Sequence, residues 1–214
     1  MDQDIEIINN QTRLEKFNNF FKKNLKLIIS IIVTFVFILI VIFSFQIYKT
    51  NKKNQIANKF NLTISMFDQG EQNKVISSMK EIINDKDSTY SPLALYFLID
   101  NKIDLPNDEI NNYFDIIINE VKLDDEIKNL IIFKKALFNS ELETEDTMLK
   151  ILKPLINSDS IWKSHALFLM GEYYYSNKEK QKSIEFFNKI IEVPNANPAI
   201  KLEAQRRIKR DLSD

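Results

Sequence analysis

The sequence predicts an all-α fold in which one transmembrane helix precedes a solenoid of helical repeats. Residues 27–48 form an uncharged stretch of 22 positions. From Asn54 onward, helix-length segments alternate with short breaks. The chain has only 2 glycines and 5 prolines. This scarcity disfavours sandwiches and barrels, which need a turn about every 10 residues.

The uncharged segment Leu27–Tyr48 is bracketed by Lys26 and Lys49. As a helix, its 22 residues span about 33 Å, which matches a bilayer core of about 30 Å. The segment is longer than the apolar core of a signal peptide, and Ile47-Tyr48-Lys49 offers no small-residue cleavage site. The predicted domains are an N-terminal cytoplasmic stub over 1–24, a transmembrane anchor over 25–48 and a soluble helical-repeat domain over 49–214.

Basic residues flank both ends of the anchor. Before it stand Arg13, Lys16, Lys22, Lys23 and Lys26, and after it stand Lys49, Lys52, Lys53 and Lys59. Because cytoplasmic flanks carry the excess of lysine and arginine, this small bias favours a cytoplasmic N-terminus. No ionisable residue lies within the anchor, so its sequence does not indicate ion or proton conduction.

Three hydroxyl residues of the anchor fall near one helical face: Ser30, Thr34 and Ser44. Such a stripe is typical of a contact with another membrane helix. The alternative is that each hydroxyl bonds the carbonyl four residues earlier in its own helix. We favour the bond within the helix, with the helix–helix contact as the alternative.

Start and stop signals divide the remainder of the chain into helices. A break is predicted at Asp68-Gln69-Gly70, an N-cap with a following proline at Ser91-Pro92, and the same signal at Asn197-Pro198. The predicted helices are Asn54–Phe67, Asn73–Asn84, Ser91 to about Ile103, Asn107 onward, Asp124–Asn139, Thr144–Ile156, Ser160–Ser176, Lys180–Val193 and Asn197 to about Leu212.

An internal repeat supports a solenoid of antiparallel helix pairs. Five positions recur 35 residues later: Ile132, Ala136, Met148, Leu152 and Leu155 correspond to Leu167, Gly171, Ser183, Phe187 and Ile190. The later unit has the spacing of a tetratricopeptide repeat, and the predicted structural positions are Leu167, Met170, Gly171, Tyr174, Ser183, Phe187, Ile190 and Pro194. The predicted fold is therefore all-α, with a tetratricopeptide-like helical-repeat solenoid after the anchor.

Each small or large residue in this unit has a predicted physical role. Gly171 allows its helix to approach the next one closely, and Tyr174 and Phe187 fill the space between them. Pro194 prevents the second helix from continuing, because proline lacks the amide hydrogen that the helix needs. The alternative is that any two amphipathic helices give some apolar matches at this offset.

Several short segments resemble the ancillary SecYEG translocon subunit family, which comprises membrane-anchored tetratricopeptide-like proteins of Gram-negative bacteria. The resemblance covers nearly the whole chain and rests on the order and spacing of the segments. They are Arg13-Leu-Glu-Lys-Phe with Phe20-Phe21-Lys22-Lys23-Asn24, Thr89-Tyr90 with Leu93-Ala94, Ile161-Trp162-Lys163-Ser164-His165-Ala166, and Lys201-Leu-Glu-Ala-Gln-Arg-Arg-Ile. The central region departs from the family, since bulky Phe or Ile stands where Gly or Ala is usual.

The resemblance implies a single-pass protein of the inner membrane, with a cytoplasmic N-terminus and a periplasmic helical domain. It also implies association with export-channel subunits, periplasmic chaperones or emerging client chains. These expectations come from the family and not from the periodicity of the sequence.

No pattern in the chain indicates catalysis or a bound cofactor. Its 29 basic and 30 acidic residues leave no charge excess that favours nucleic acid. There is no cysteine, and His165 is the only histidine, so a histidine-based zinc site is excluded. We interpret His165 as a packing or capping residue. The sequence predicts no catalytic, metal or cofactor residue and no small-molecule substrate.

Clusters of charge are interpreted as features of helix ends. Asp124-Asp125-Glu126 and Glu143-Thr144-Glu145-Asp146 are expected to cap helices and complement their dipoles. The basic run Arg206, Arg207, Lys209 and Arg210 fits the last turns of a helix, with contact to anionic lipid or an acidic partner as the alternative.

Three functions are compatible with these features of the sequence. The first is a membrane-anchored protein-interaction module of the export translocon, the second is a structural scaffold of another envelope complex, such as division or secretion machinery, and the third is an enzyme. The absence of a convergent catalytic set disfavours an enzyme. For the first function, the candidate surface consists of the exposed members of Leu93–Ile103, Leu130–Asn139 and Ser164–Tyr175.

Overall fold

A computed structural model describes the backbone of residues 2–212 and the side chains of residues 16–20 and 22–212. Arg13 and Phe21, which belong to the basic flank and the family resemblance, lie outside the described side chains, as do the last two residues of the predicted domain. Residues 2–212 contain helices and turns but no strand. The chain divides after Gln55 into two compact units.

The N-terminal unit belongs to helix α1, which extends over Asp2–Asp68. Among the described residues, one helix is long and apolar enough to cross a membrane, and it lies within Lys22–Asp68. None of its most apolar stretch is buried against protein, unlike the core helix of a soluble domain. The separate helix expected from Asn54 is wrong, because no glycine or proline interrupts residues 49–53 and α1 continues through them.

The second unit, from Ile56 onward, consists of the last turns of α1 and the helices that follow. From α2 onward, neighbouring helices in sequence pack on one another; α4 also contacts α2, and α7 also contacts α5 and α9. This repeat-like packing confirms the predicted all-helical fold. The helices are α2 (Gln72–Asn84), α3 (Tyr90–Asp100), α4 (Asn107–Glu120), α5 (Asp125–Asn139), α6 (Glu145–Ile156), α7 (Lys163–Ser176), α8 (Lys180–Glu192) and α9 (Pro198–Asp211).

Of the two N-caps predicted before a proline, the structure confirms one and contradicts the other. Asn197 caps α9 as predicted, since its side chain accepts hydrogen bonds from the amides of Ala199 and Ile200. The prediction that Ser91 is an N-cap is wrong. Ser91 lies inside α3, fully buried, and its hydroxyl donates to the carbonyl of Ile82 over 2.8 Å. Asp87 binds the free amides instead, because its Oδ1 accepts from the amides of Thr89 and Tyr90 over 2.9 Å.

The hydrophobic core of the second unit consists of two clusters. The first includes buried residues from Ile56 to Ile131, and the second includes buried residues from Ile132 to Leu212. Ile131 and Ile132 are consecutive in α5, so this helix contributes to both clusters. Ile118 of α4, which is partly buried, also packs against both.

Candidate interaction surfaces

The last helix pair, α7 with α8, is held at close range by three small or aromatic residues. A Cβ atom on Gly171 would lie 2.5 Å from Cε1 of Phe187, closer than real contacts allow. The hydroxyl of Ser183, which is fully buried, donates to the carbonyl of Gly171 over 2.8 Å. Gly171 therefore lies against the Phe187 ring, and Ser183 lies in the same contact.

The other predicted repeat positions lie in or beside the second core cluster. Leu167, Met170, Tyr174 and Ile190 are buried in it, together with the earlier-unit residues from Ile132 to Leu155. Pro194 is exposed and follows the last residue of α8, Glu192, by two positions. The earlier repeat, Ile132 to Leu155, and the later repeat, Leu167 to Ile190, therefore share one core.

Tyr174 connects the core to a polar network at the surface. Its hydroxyl donates to Oε1 of Glu145 over 2.7 Å, and Lys182 Nζ donates to Oε2 of the same carboxylate over 2.8 Å. The hydrogen bonds from Lys182 and Tyr174 lower the pKa of Glu145 below its ordinary value. Burial and the bond to Glu145 raise the pKa of Tyr174. This network connects α6, α7 and α8.

The carboxylate clusters at the starts of α5 and α6 do not cap these helices with their side chains. The N-cap residues Asp124 and Thr144 make no side-chain capping hydrogen bond, so that part of the prediction is wrong. The first turns still contain acidic residues, which suits the helix dipole. Glu126 also accepts a hydrogen bond from Ser160 Oγ over 2.7 Å. Among the described residues, no group of three or more His, Cys, Asp or Glu side chains is placed to hold a metal ion.

His165 packs among aromatic rings, as the packing interpretation predicts. Its ring centroid lies 5.1 Å from that of Trp162 and 5.9 Å from that of Phe133. Its Nδ1 is buried without a hydrogen-bond partner among the described residues.

The basic run of α9 is largely engaged within the chain. Arg207 forms ion pairs with Glu172 and Asp211, and its guanidinium lies 4.6 Å from the centroid of the Tyr175 ring. Arg210 binds Asp211 through two nitrogens. The contacts of Arg207 with Glu172 and Tyr175 join α9 to α7, whereas the pairs with Asp211 lie within α9. Both kinds of contact favour the structural interpretation of Arg207 and Arg210 over a lipid contact.

A stripe of three aliphatic residues and one lysine follows one face of α5; its two end members are exposed, and its two middle members are half-buried. The α5 stripe consists of Ile127, Leu130, Lys134 and Leu137, whose spacing places them on one helical face. Ile127 is 44% exposed and Leu137 is 53% exposed. Among the predicted ranges, Leu137 and Leu93 remain exposed, whereas Ile103 and Asn139 are buried.

Side chains at the edges of the α5 stripe bridge it to the neighbouring helices. Lys134 Nζ lies 4.2 Å from the centroid of the Tyr96 ring on α3. Phe133 stacks on Trp162, just before α7, with centroids 5.7 Å apart. Through these two contacts, α5 reaches Tyr96 of α3 and Trp162, the residue that precedes α7.

A cleft opens on another side of α5, between α4 and α6. Its volume is about 440 Å³, within the range of about 300–1,000 Å³ that is usual for ligand sites. Three carboxylates, two lysines, two amides and several aliphatic side chains line it. The α4–α6 cleft is lined by Asp108, Asn111, Asp115, Ile118, Ile132, Lys135, Asn139, Glu143, Thr147, Lys150, Ile151 and Pro154.

The floor and one wall of this cleft are fixed by hydrogen bonds. Asn111 Nδ2 donates to Oδ1 of Asn139 over 2.9 Å, and Asn139 Nδ2 donates to Oδ1 of Asn111 over 2.7 Å. One turn further along α4, Lys135 Nζ donates to Oδ1 of Asp115 over 2.8 Å. These pairs show that α4 and α5 are antiparallel here. The cleft was not predicted from the sequence, since its residues come from α4, α5, α6 and the α5–α6 turn and share no motif.

The two ends of the α4–α6 cleft differ in chemistry. Asp108 and Glu143 lie at the end near the start of α4 and α6, and neither carboxylate has an ion-pair partner in the part of the chain that the structure describes. Ile118, Ile132 and Pro154 lie toward the other end.

Comparison of the chain with protein-family models, curated proteins and solved structures gives no match in any of the three.

Proposed function

We propose that this chain is a membrane-anchored protein-interaction module, an ancillary factor of the protein-export translocon that contacts channel subunits, periplasmic chaperones or emerging polypeptides. The observation that carries the proposal is the exposed α5 stripe. Exposed apolar side chains that form a contiguous surface are typical of protein-binding sites. The translocon as the partner complex rests on the segment resemblance alone.

The α5 stripe suits a polypeptide partner because aliphatic and aromatic groups lie beside one another on it. Leu137 and Ile127 offer aliphatic area, and the Phe133–Trp162 pair offers ring surface at the edge. Aromatic residues are enriched in the well-packed centres of protein interfaces. The apolar helix within Lys22–Asp68 supplies a membrane tether. Tethering raises the effective concentration of the surface near a membrane complex, so weak contacts suffice.

In this proposal, the protein is single-pass in the inner membrane, with its N-terminus in the cytoplasm and its helical domain in the periplasm. The five-to-four basic bias across the anchor supports this orientation. A reporter that is active only in the periplasm, fused to the C-terminus, should be active. A matched fusion to a reporter active only in the cytoplasm should be inactive, and the reverse pair of results would overturn the orientation.

Photocrosslinking in native membranes tests the interaction surface. A photoreactive residue in place of Leu137 should crosslink to export-channel subunits or periplasmic chaperones. The matched control is Leu62 on α1, which is 58% exposed and lies outside the α5 stripe. Crosslinks of equal yield from both positions would contradict a specific surface.

A charged substitution at Leu137 should prevent the binding that the crosslink detects. Leu137→Glu places a charge in the α5 stripe and should abolish recovery of the partners from mildly solubilised membranes, whereas Leu62→Glu should leave recovery unchanged. Replacement of residues 27–48 by an unrelated anchor should weaken recovery without abolishing it. If division or outer-membrane assembly proteins are recovered in place of channel subunits, the scaffold function replaces the translocon function.

A further inference from the structure

We propose that the α4–α6 cleft binds an extended polypeptide segment that carries a lysine or arginine about four residues from an aliphatic side chain. This inference rests on the proposed function, since it names a second, chemically selective site on the same protein-binding domain. The cleft lies within the second unit and on a different side of α5 from the α5 stripe.

Charge at one end of the cleft selects a basic group. Asp108 is exposed and Glu143 is half-buried, and both carboxylates line the cleft without an ion-pair partner among the described residues. The backbone of Glu143 is held in place, because its carbonyl accepts a hydrogen bond from Tyr173 Oη and its amide donates to the carbonyl of Asn139. Two carboxylates without cationic partners at one end of a cleft attract a lysine or arginine side chain.

The other end of the cleft is apolar. Ile132 is buried in its floor, Ile118 and Ile151 are half-buried, and Pro154 lies at the rim. An aliphatic side chain that enters this end removes apolar surface from water on both partners. Lys150 also lines the cleft and has no described ion-pair partner, so it disfavours a second basic residue near the apolar end.

The distance between the two ends sets the spacing of the ligand. Asp108 and Ile118 are ten positions apart on α4, which corresponds to about 15 Å along a helix. An extended peptide covers that distance in four to five residues at about 3.3 Å per residue. A basic and an aliphatic side chain about four residues apart therefore reach both ends.

Polar groups between the two ends suit a peptide backbone. The amide pair of Asn111 and Asn139 lines the cleft and leaves donor and acceptor capacity on Asn111. This remaining capacity allows hydrogen bonds to the N–H and C=O groups of an extended chain.

The test uses the full chain in uncharged detergent and fluorescence anisotropy of a labelled probe peptide. The probe is acetyl-Lys-Ser-Ser-Ser-Leu-amide, with one comparison peptide that has Glu in place of Lys and another that has Ser in place of Leu. At low salt, we expect the affinity for the Lys probe to be at least about fivefold higher than that for the Glu probe. This difference in affinity should shrink as salt screens the charges. The Ser peptide should bind more weakly than the Lys probe at any salt concentration.

Charge reversal of the acidic end provides the decisive variant. Asp108→Lys with Glu143→Lys should reverse the preference, so that the Glu probe binds more tightly than the Lys probe. Asp146→Lys is the matched control, because Asp146 is also an exposed first-turn acid but does not line the cleft. This control should keep the preference of the unmodified chain. A reversal cannot arise from misfolding, since a misfolded cleft binds neither probe selectively.

The outcomes separate this inference from the proposed function. Equal binding of the Lys and Glu probes by the unmodified chain, or no binding of either, would overturn the cleft proposal, even when Leu137→Glu still abolishes partner recovery. Conversely, if crosslinking at Leu137 fails while the probe preference reverses as expected, the cleft proposal stands and the translocon function falls.

Discussion

At the scale of single residues, the spacing of α7 and α8 depends on the absence of one side chain. Phe187 is fully buried, so its ring does not reach solvent. Phe168 packs against it with ring centroids 5.3 Å apart. A methyl group on Gly171 would therefore shift α7 relative to α8, and this shift destabilises the fold.

Gly171→Ala should lower the free energy of unfolding by about 1–3 kcal/mol, because overpacking a core contact forces side chains and backbone to shift. Urea denaturation of the full chain in detergent measures it. Adding Phe187→Leu to Gly171→Ala should recover part of this loss, because the smaller side chain makes room. Strictly additive losses would show that the two residues do not share the contact.

Three lysines occupy backbone conformations that favour glycine. Lys86, Lys102 and Lys178 have φ values of 55°, 51° and 63°, each just after a helix ends. At Lys178 the following amide, that of Glu179, donates to the carbonyl of Tyr174, as in a Schellman motif. A side chain in this conformation costs about 1–2 kcal/mol, which glycine avoids.

Lys178→Gly should therefore raise the free energy of unfolding by about 0.5–1 kcal/mol, after allowing for the entropy of glycine in the unfolded chain. The same substitution inside a helix has the opposite sign. Lys153→Gly, at an exposed position of α6, should lower stability by about 1 kcal/mol. Thermal melts of both variants check the pair, and a loss of stability in both would contradict the backbone interpretation.

At the scale of helices, polar networks outside the core hold successive elements together. Glu145 at the start of α6 binds Tyr174 of α7 and Lys182 of α8. Arg207 of α9 binds Glu172 of α7. The Glu145–Lys182 pair joins α6 to α8, and the Arg207–Glu172 pair joins α7 to α9. Because these helices are not neighbours in sequence, both contacts stabilise the stacking of helix pairs.

The lowered pKa of Glu145 predicts how acid affects this stacking. A carboxyl whose pKa is lower in the folded state contributes stability above its unfolded pKa and loses it as the pH falls through the folded pKa. The advantage of the unmodified chain over Glu145→Gln should therefore be largest near pH 7 and vanish well below pH ~4. Melting temperatures across this range measure it. Glu141→Gln, an exposed glutamate in the α5–α6 turn, should follow the unmodified chain at every pH.

Local signals in the sequence located most helices but not every boundary. Asn197-Pro198 was interpretable because the cap and its amides lie within three residues of one another. Ser91-Pro92 misled because Asp87, four residues earlier, binds the same kind of amide group and frees Ser91 to enter the helix. The α4–α6 cleft was not predictable, since the Asn111–Asn139 pair joins residues 28 positions apart and depends on tertiary packing.

At the scale of the whole molecule, the core of the second unit is built without the apolar segment of α1. Both core clusters draw their buried residues from Ile56 onward. Apart from the half-buried Ile28, the apolar side chains of residues 27–48 are exposed to the surroundings of the protein. Removal of that segment therefore takes no side chain from either cluster.

Residues 54–214 should accordingly fold alone as a soluble helical domain. Circular dichroism should show dominant helix, and the melting temperature should match that of the same domain in the detergent-solubilised full chain. A largely disordered spectrum would contradict the division of the chain after Gln55. Aggregation that Leu137→Glu relieves would instead point to the α5 stripe as its cause.

The meeting of the two core clusters inside α5 has a consequence for the dynamics of the domain. Sub-global opening separates groups of residues that share few contacts, and repeat proteins open in this way because each unit contacts mainly its neighbours. Ile131 and Ile132 face different clusters, so either half can expose its amides to exchange while the other half stays protected. In both events α5 loses one set of neighbours and keeps the other. Native-state hydrogen exchange should therefore show two cooperative units whose boundary runs along a single helix and not through a loop.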